Sequence, residues 1–149
     1  MKKIILLAII GLVSFQMANA QTSSSDIWKT MEKVTYKKTM DKSLGIYVDV
    51  PVFGKSVKSI SGKTITIKGY IIPLEGYQDQ DLFIFSRYPY NMCFFCGGAG
   101  PETVLEAETK TGEKIKYTSK EITIKGKIKL NNDNIDRLMY ILEDVVVVK

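Results

Sequence analysis

Histidine is missing from this chain of 149 residues. Its absence removes Ser-His-Asp triads, His-Glu-x-x-His zinc hydrolase motifs and every mixed cysteine–histidine zinc pattern. Cysteine is nearly missing, with two residues, Cys93 and Cys96. That is too few for a disulfide-dense scaffold or for a four-thiolate zinc site built from one chain. No glycine-rich loop runs into a lysine and a hydroxyl residue, so a phosphate cradle is not indicated. Asp79 and Asp81 near Glu75, and Asp133 with Asp136, lack the ordered spacing of a helix-loop-helix calcium site and read as solvated turns. One long apolar run is present, Ile4 to Val13, and it is shorter than a membrane span.

That run has a particular setting. Lys2 and Lys3 precede it, and Ala18-Asn19-Ala20 supplies small residues for a cut before Gln21, the layout of a secretory signal peptide over residues 1–20. No cysteine stands at the cut, so a lipid anchor is not indicated. The expected location is periplasmic or secreted, where disulfides persist. Removing those twenty residues, two of them lysine, takes the chain from 149 to 129 residues and the formal charge from +5 to +3. This is one domain's length, with no transmembrane segment left in the mature chain. So small a charge gives no reason to expect nucleic acid as a partner.

Residues 21–45 read as a flexible start followed by a short helix. Asp26 is the expected cap, with Ile27, Met31 and Val34 at helical spacing and Trp28 and Thr35 beside them, as far as about Lys38. From Ile46 to the end at residue 149 the period changes to two. Tyr47 to Phe53 reads as an edge segment because Pro51 lacks an amide, and Ser59 to Gly62 as a turn. Ile65 to Ile72, Leu82 to Phe85, Thr103 to Glu108, Ile115 to Tyr117 and Ile122 to Leu130 are predicted strands. Asn131-Asn132-Asp133-Asn134 is a turn. Leu138 to Leu142 and the β-branched run Val145 to Val148 close the molecule, with a buried strand expected. The segment Ile65-Thr66-Ile67-Lys68-Gly69 recurs letter for letter at Ile122 to Gly126. Both glycines are expected where long strands bend or bulge around a small closed sheet.

The expected fold is therefore mainly β, a small five-stranded barrel with a short N-terminal helix. Gly69-Tyr70-Ile71-Ile72-Pro73-Leu74, the Phe83 strand, Cys93-Phe94-Phe95-Cys96 and Pro101 together resemble an uncharacterised family of bacterial exported proteins with an OB-like barrel. Its signature is a glycine, an aromatic or apolar pair and Pro-Leu, then a paired-cysteine loop and a proline. The resemblance covers roughly Lys63 to Lys149 and implies fold and compartment, without a substrate. Gly97-Gly98-Ala99-Gly100 departs from the proline-rich continuation associated with the family.

The cysteine loop has three readings. A local disulfide between Cys93 and Cys96 would stiffen it. As a thiol–disulfide exchange enzyme, the chain would use Cys93 as the attacking thiolate and Cys96 as the resolving one; the glycines and Pro101 argue against the helix start that activates such a thiolate. As a metal site, Cys93 and Cys96 could be shared by two chains around zinc in a homodimer, or could hold copper(I) with Met92 nearby. Arg87, Tyr88, Tyr90, Phe94 and Phe95 cluster around the loop as candidate ligand-binding residues. Gly69, Gly97, Gly98, Pro101 and Gly126 are candidate structural positions. The expectation is an exported soluble binding or accessory domain, whose partner is a small ligand or another exported protein.

Overall fold

The two copies of Ile-Thr-Ile-Lys-Gly lie side by side. In the computed structural model, which describes residues 24–42, 45–73, 76 and 78–148, they pair antiparallel with Ile67 opposite Ile124, Ile65 opposite Gly126 and Gly69 opposite Ile122. The expected leader over 1–20, the segment Gln21 to Ser23, and Leu74 and Glu75 lie outside the described residues.

Element order is α1 (Ser24–Met31), β1 (Thr35–Asp41), β2 (Ile46–Val52), α2 (Lys55–Lys58), β3 (Thr64–Ile72), β4 (Leu82–Ser86), β5 (Val104–Thr109), β6 (Ile122–Leu130) and β7 (Tyr140–Val148). The last five strands close a barrel in the order β3-β4-β5-β7-β6. All pairs are antiparallel except β5 with β7, which is parallel. A meander of three strands, followed by a fourth and fifth that return to seal the gap, is the five-stranded Greek-key arrangement of an OB barrel.

Period-two alternation fills the barrel. Ile65, Ile67 and Ile71 of β3, Phe83 and Phe85 of β4, Leu105 and Ala107 of β5, Ile124 and Ile128 of β6, and Leu142 and Val145 of β7 are all buried in one core. Gly69 faces the same interior, where a Cβ would stand 2.2 Å from the Ser86 carbonyl oxygen of β4. Gly126 sits at the register shift of the β6–β7 pair, opposite a bulge where Asp144 adopts a positive φ of 54°.

One end of the core is completed by α1, which buries Ile27, Trp28 and Met31. Each such burial is worth roughly 1.5–3 kcal/mol in transfer terms. Three long-range hydrogen bonds fix the helix: the Lys68 amide donates to Ser24 Oγ at 2.5 Å, Trp28 Nε1 donates to the Lys68 carbonyl at 2.8 Å, and Tyr140 Oη donates to the Met31 carbonyl at 2.8 Å.

The structure corrects several expectations. The helix stops at Met31 rather than near Lys38, winding down through short turns in which Lys33 and Val34 donate to the Thr30 and Met31 carbonyls. Thr35 to Asp41, rich in β-formers, is instead a strand paired with β2 in a separate two-stranded sheet. A boundary at residue 46 therefore falls within a hairpin. Helix α2 precedes the expected turn at Ser59. Ile115 to Tyr117 forms no strand; Ile115 makes one isolated bridge to Gln80. In the terminal run only Val145 is buried, while Val146, Val147 and Val148 are exposed because they extend past the β5 pairing and face solvent.

Candidate functional site

The longest connection within the barrel, between β4 and β5, folds from three single 3-10 turns: Tyr90–Met92, Phe94–Cys96 and Pro101–Thr103. Cys93 is the extended hinge between the first two, with φ −77° and ψ 171°. Its carbonyl accepts from the Cys96 amide at 3.1 Å and the Gly98 amide at 3.2 Å, so the cysteine pair closes one tight turn. Gly97 takes a left-handed φ of 76°, and a Cβ on Gly98 would meet the Met92 carbonyl oxygen at 2.7 Å. Those two glycines allow the chain to double back on itself.

The two thiols differ sharply. Cys93 is fully buried and Cys96 is exposed, and both are free. The expected disulfide is thus not present: the turn holds two free thiols. Local desolvation and the neighbouring Cys93 thiol push the Cys96 thiol up, against a smaller opposing effect of Tyr90. For thiol exchange the order of exposure is the reverse of the expected roles, since Cys93 is shielded from an incoming disulfide and Cys96 is open. The exposed thiol is also not activated.

The aromatic cluster separates into different surroundings. Arg87 pairs with Glu32 just after α1, lies 5.3 Å from the Tyr88 ring centroid, and donates its amide to the Thr103 carbonyl. It is occupied in holding the loop to the helix. Tyr90, Met92 and Phe95 are exposed, and Phe94 and Phe95 meet edge to face at 5.2 Å between centroids. Only Phe94, among the five proposed ligand-binding residues, lines the main groove.

That groove encloses about 580 Å³. Three elements outside the barrel wall build it: the β1–β2 hairpin, the cysteine loop through Phe94 and Pro101, and the β6–β7 loop from Asn131 to Met139. Tyr36 ties them together, its hydroxyl donating to Glu102 Oε2 at 3.4 Å and lying 3.8 Å from the Met139 sulfur. Desolvation, reinforced by the Glu102 carboxylate that accepts this bond and by Asp49, pushes the Tyr36 phenol up to about 12.

Asn131 organises the loop. It is buried, and its side-chain amide donates to the carbonyls of Asn134, Arg137 and Leu138 while its Oδ1 accepts from the Asn134 amide. Below the loop, buried Glu106 accepts from Arg137 Nε and the Leu138 amide, each at 2.6 Å, and Arg137 also pairs with Glu108. Burial pulls the Arg137 guanidinium down, but hydrogen bonds and attraction to Glu106 and Glu108 outweigh it and push it further up.

The charge of the groove follows. Among the described residues, Asp41, Asp49 and Asp133 line it and lysine does not, and the one cation there, Arg137, is already held by Glu106 and Glu108. A chain of net charge +5 therefore carries an anionic cleft. Sequence reading found Phe94 and Pro101 but missed Tyr36, which falls in the segment read as helix, and took Asn131 to Asn134 as a turn alone. The turn signal was the one available pointer to the loop. No protein-family model matches the chain, and no curated protein or solved structure matches it either. What the fold and groove define is a class, an OB-like barrel with an appended hairpin that walls a cleft.

Proposed function

We propose that the chain is an exported binding or accessory domain that takes an amine-bearing small ligand in the groove between hairpin, cysteine loop and β6–β7 loop. The observation that carries this reading is the cleft itself: about 580 Å³, lined by apolar groups such as Phe94, Ile135 and Met139 and by Asp49 and Asp133, with no free cation among the described residues that line it. Its volume is within the usual range for small-molecule sites. Apolar contact supplies area, and carboxylates at the border select for positive charge. Export is supported by the pattern of Lys2, Lys3, Ile4 to Val13 and Ala18-Asn19-Ala20. Nucleic acid fits the cleft poorly, because its phosphates would face aspartates.

The test is calorimetric titration with spermidine, arginine amide and a lysine dipeptide, alongside glutamate and a neutral amide of similar size. The cationic probes are expected to bind and the acidic probe not. Asp49→Asn and Asp133→Asn should each weaken binding by roughly 2–5-fold, the range of exposed charge pairs. Phe94→Ala should weaken it by roughly tenfold through lost apolar area. Equal binding of acidic and basic probes would overturn the charge argument; no binding of any probe would overturn the cleft as the site.

A further inference from the structure

We propose that Cys93 and Cys96 form a two-thiolate site for a soft monovalent cation, copper(I), distinct from the groove. The two cysteines flank one tight turn, Cys93 capping the 3-10 turn that Cys96 ends, with the Cys96 amide donating to the Cys93 carbonyl at 3.1 Å, and both thiols are free. Neither cysteine lines the groove, although Phe94 between them does, so this site stands whether or not the groove binds an amine.

The donor set selects the ion. Among the described residues no group of three or more cysteine, aspartate or glutamate side chains could hold a metal, and histidine is absent from the chain. A zinc ion would find two of the four ligands of a structural site, and calcium or magnesium no oxygen cage. Thiolate sulfur favours copper(I), which unlike zinc is satisfied by few, soft ligands. Burial then gives the two cysteines different parts. Cys93, fully buried, offers a ligand backed by the interior and shielded from competing water, while exposed Cys96 leaves the entry side open. Gly97 and Gly98 follow at once, and nothing lies within 4 Å of where a Cβ on Gly97 would be, so the approach is not blocked there. Exposed Met92 adds a soft thioether next to Cys93 in sequence.

Binding exchanges protons and transfers no electrons. One copper(I) ion and two neutral thiols give a bis-thiolate complex of charge −1 and two protons released to buffer. The ion arrives already reduced, so no reductant is needed.

The experiment titrates the full mature chain anaerobically with copper(I) against a chromogenic copper(I) chelator, with native mass spectrometry for stoichiometry. One ion per monomer is expected, with zinc failing to compete. Cys96→Ser, at an exposed position where folding is not at risk, should lower affinity by more than about 100-fold, beyond the loss that outer-shell changes bring. Cys93→Ser should do the same, with its fold checked by circular dichroism. Met92→Leu separates a two-sulfur site, which it leaves within a few-fold, from one dependent on the thioether, which it abolishes and which would overturn the two-thiolate assignment. Copper affinity unchanged in Cys96→Ser would overturn the proposal, as would one ion bridging two chains or zinc binding more tightly than copper(I).

Discussion

Tyr36 is where three separate pieces of chain meet, through a hydroxyl that reaches Glu102 and Met139 from a ring that is itself partly exposed. Its proton is held between Glu102 and the Met139 sulfur, and the phenol is raised from its ordinary value of 10.0 to about 12. The unfolded chain therefore releases this proton first as pH rises. The contribution of Tyr36 to stability is complete below about pH 10 and is lost on the way to pH 12. Urea unfolding at pH 8, 10 and 11 should show stability falling across the upper interval, and Tyr36→Phe should fall less steeply. The residual slope in that variant is expected from Tyr140, whose phenol burial also pushes up, with weaker effects from Tyr36 and Glu102. Equal slopes in the two proteins would show that Tyr36 ionises as freely folded as unfolded.

Among the elements, the β6–β7 loop most depends on a single side chain. Asn131 satisfies three carbonyls and one amide from the interior of the turn, and no apolar residue can replace those contacts. Asn131→Ala should cost roughly 1–2 kcal/mol, since carbonyls left without donors cost about 1–3 kcal/mol each when buried and less here, where Asn134 is exposed and Arg137 and Leu138 are half-buried and water can replace part of the loss. Urea unfolding measures the loss, and amide exchange should show it concentrated between Asn132 and Met139; a change below about 0.5 kcal/mol would mean that Glu106 alone positions the loop. The run of asparagines revealed a turn in the sequence, yet not its second role as a wall, because the loop is also held by Glu106, which arrives from β5 to accept from Arg137 and Leu138. The barrel strands were legible for the opposite reason: Ile65, Ile67, Ile124 and Ile128 face one core, so burial writes period two into the sequence. Strand β1 was not, since six of its seven residues are exposed and no face is marked by apolar residues.

At the scale of the whole molecule, barrel and hairpin are held by different means. The barrel has every strand paired on both sides and a core shared with α1. The hairpin has two strands, each with one partner, and reaches the rest through Tyr36 and through residues such as Phe53, whose ring lies 5.8 Å from that of Tyr140. That asymmetry explains why the fold could be anticipated and the cleft could not: closure depends on periodic burial, whereas the cleft depends on how an exposed hairpin settles against two loops. It also predicts two levels of opening. A two-stranded sheet with little buried surface is marginal alone, so its local opening should lie well below global unfolding. Native-state hydrogen exchange should find the paired amides of Thr35 to Val52 exchanging before those of β3 to β7, and at low denaturant their opening should be insensitive to it. If the groove binds a cation, a saturating amine should slow exchange in the hairpin first, because ligand bridging hairpin and loops opposes the local opening directly and the global one only in common with every other segment. Simultaneous exchange of hairpin and barrel in the free protein would mean that the cleft is as rigid as the core, and that its shape is set before any ligand arrives.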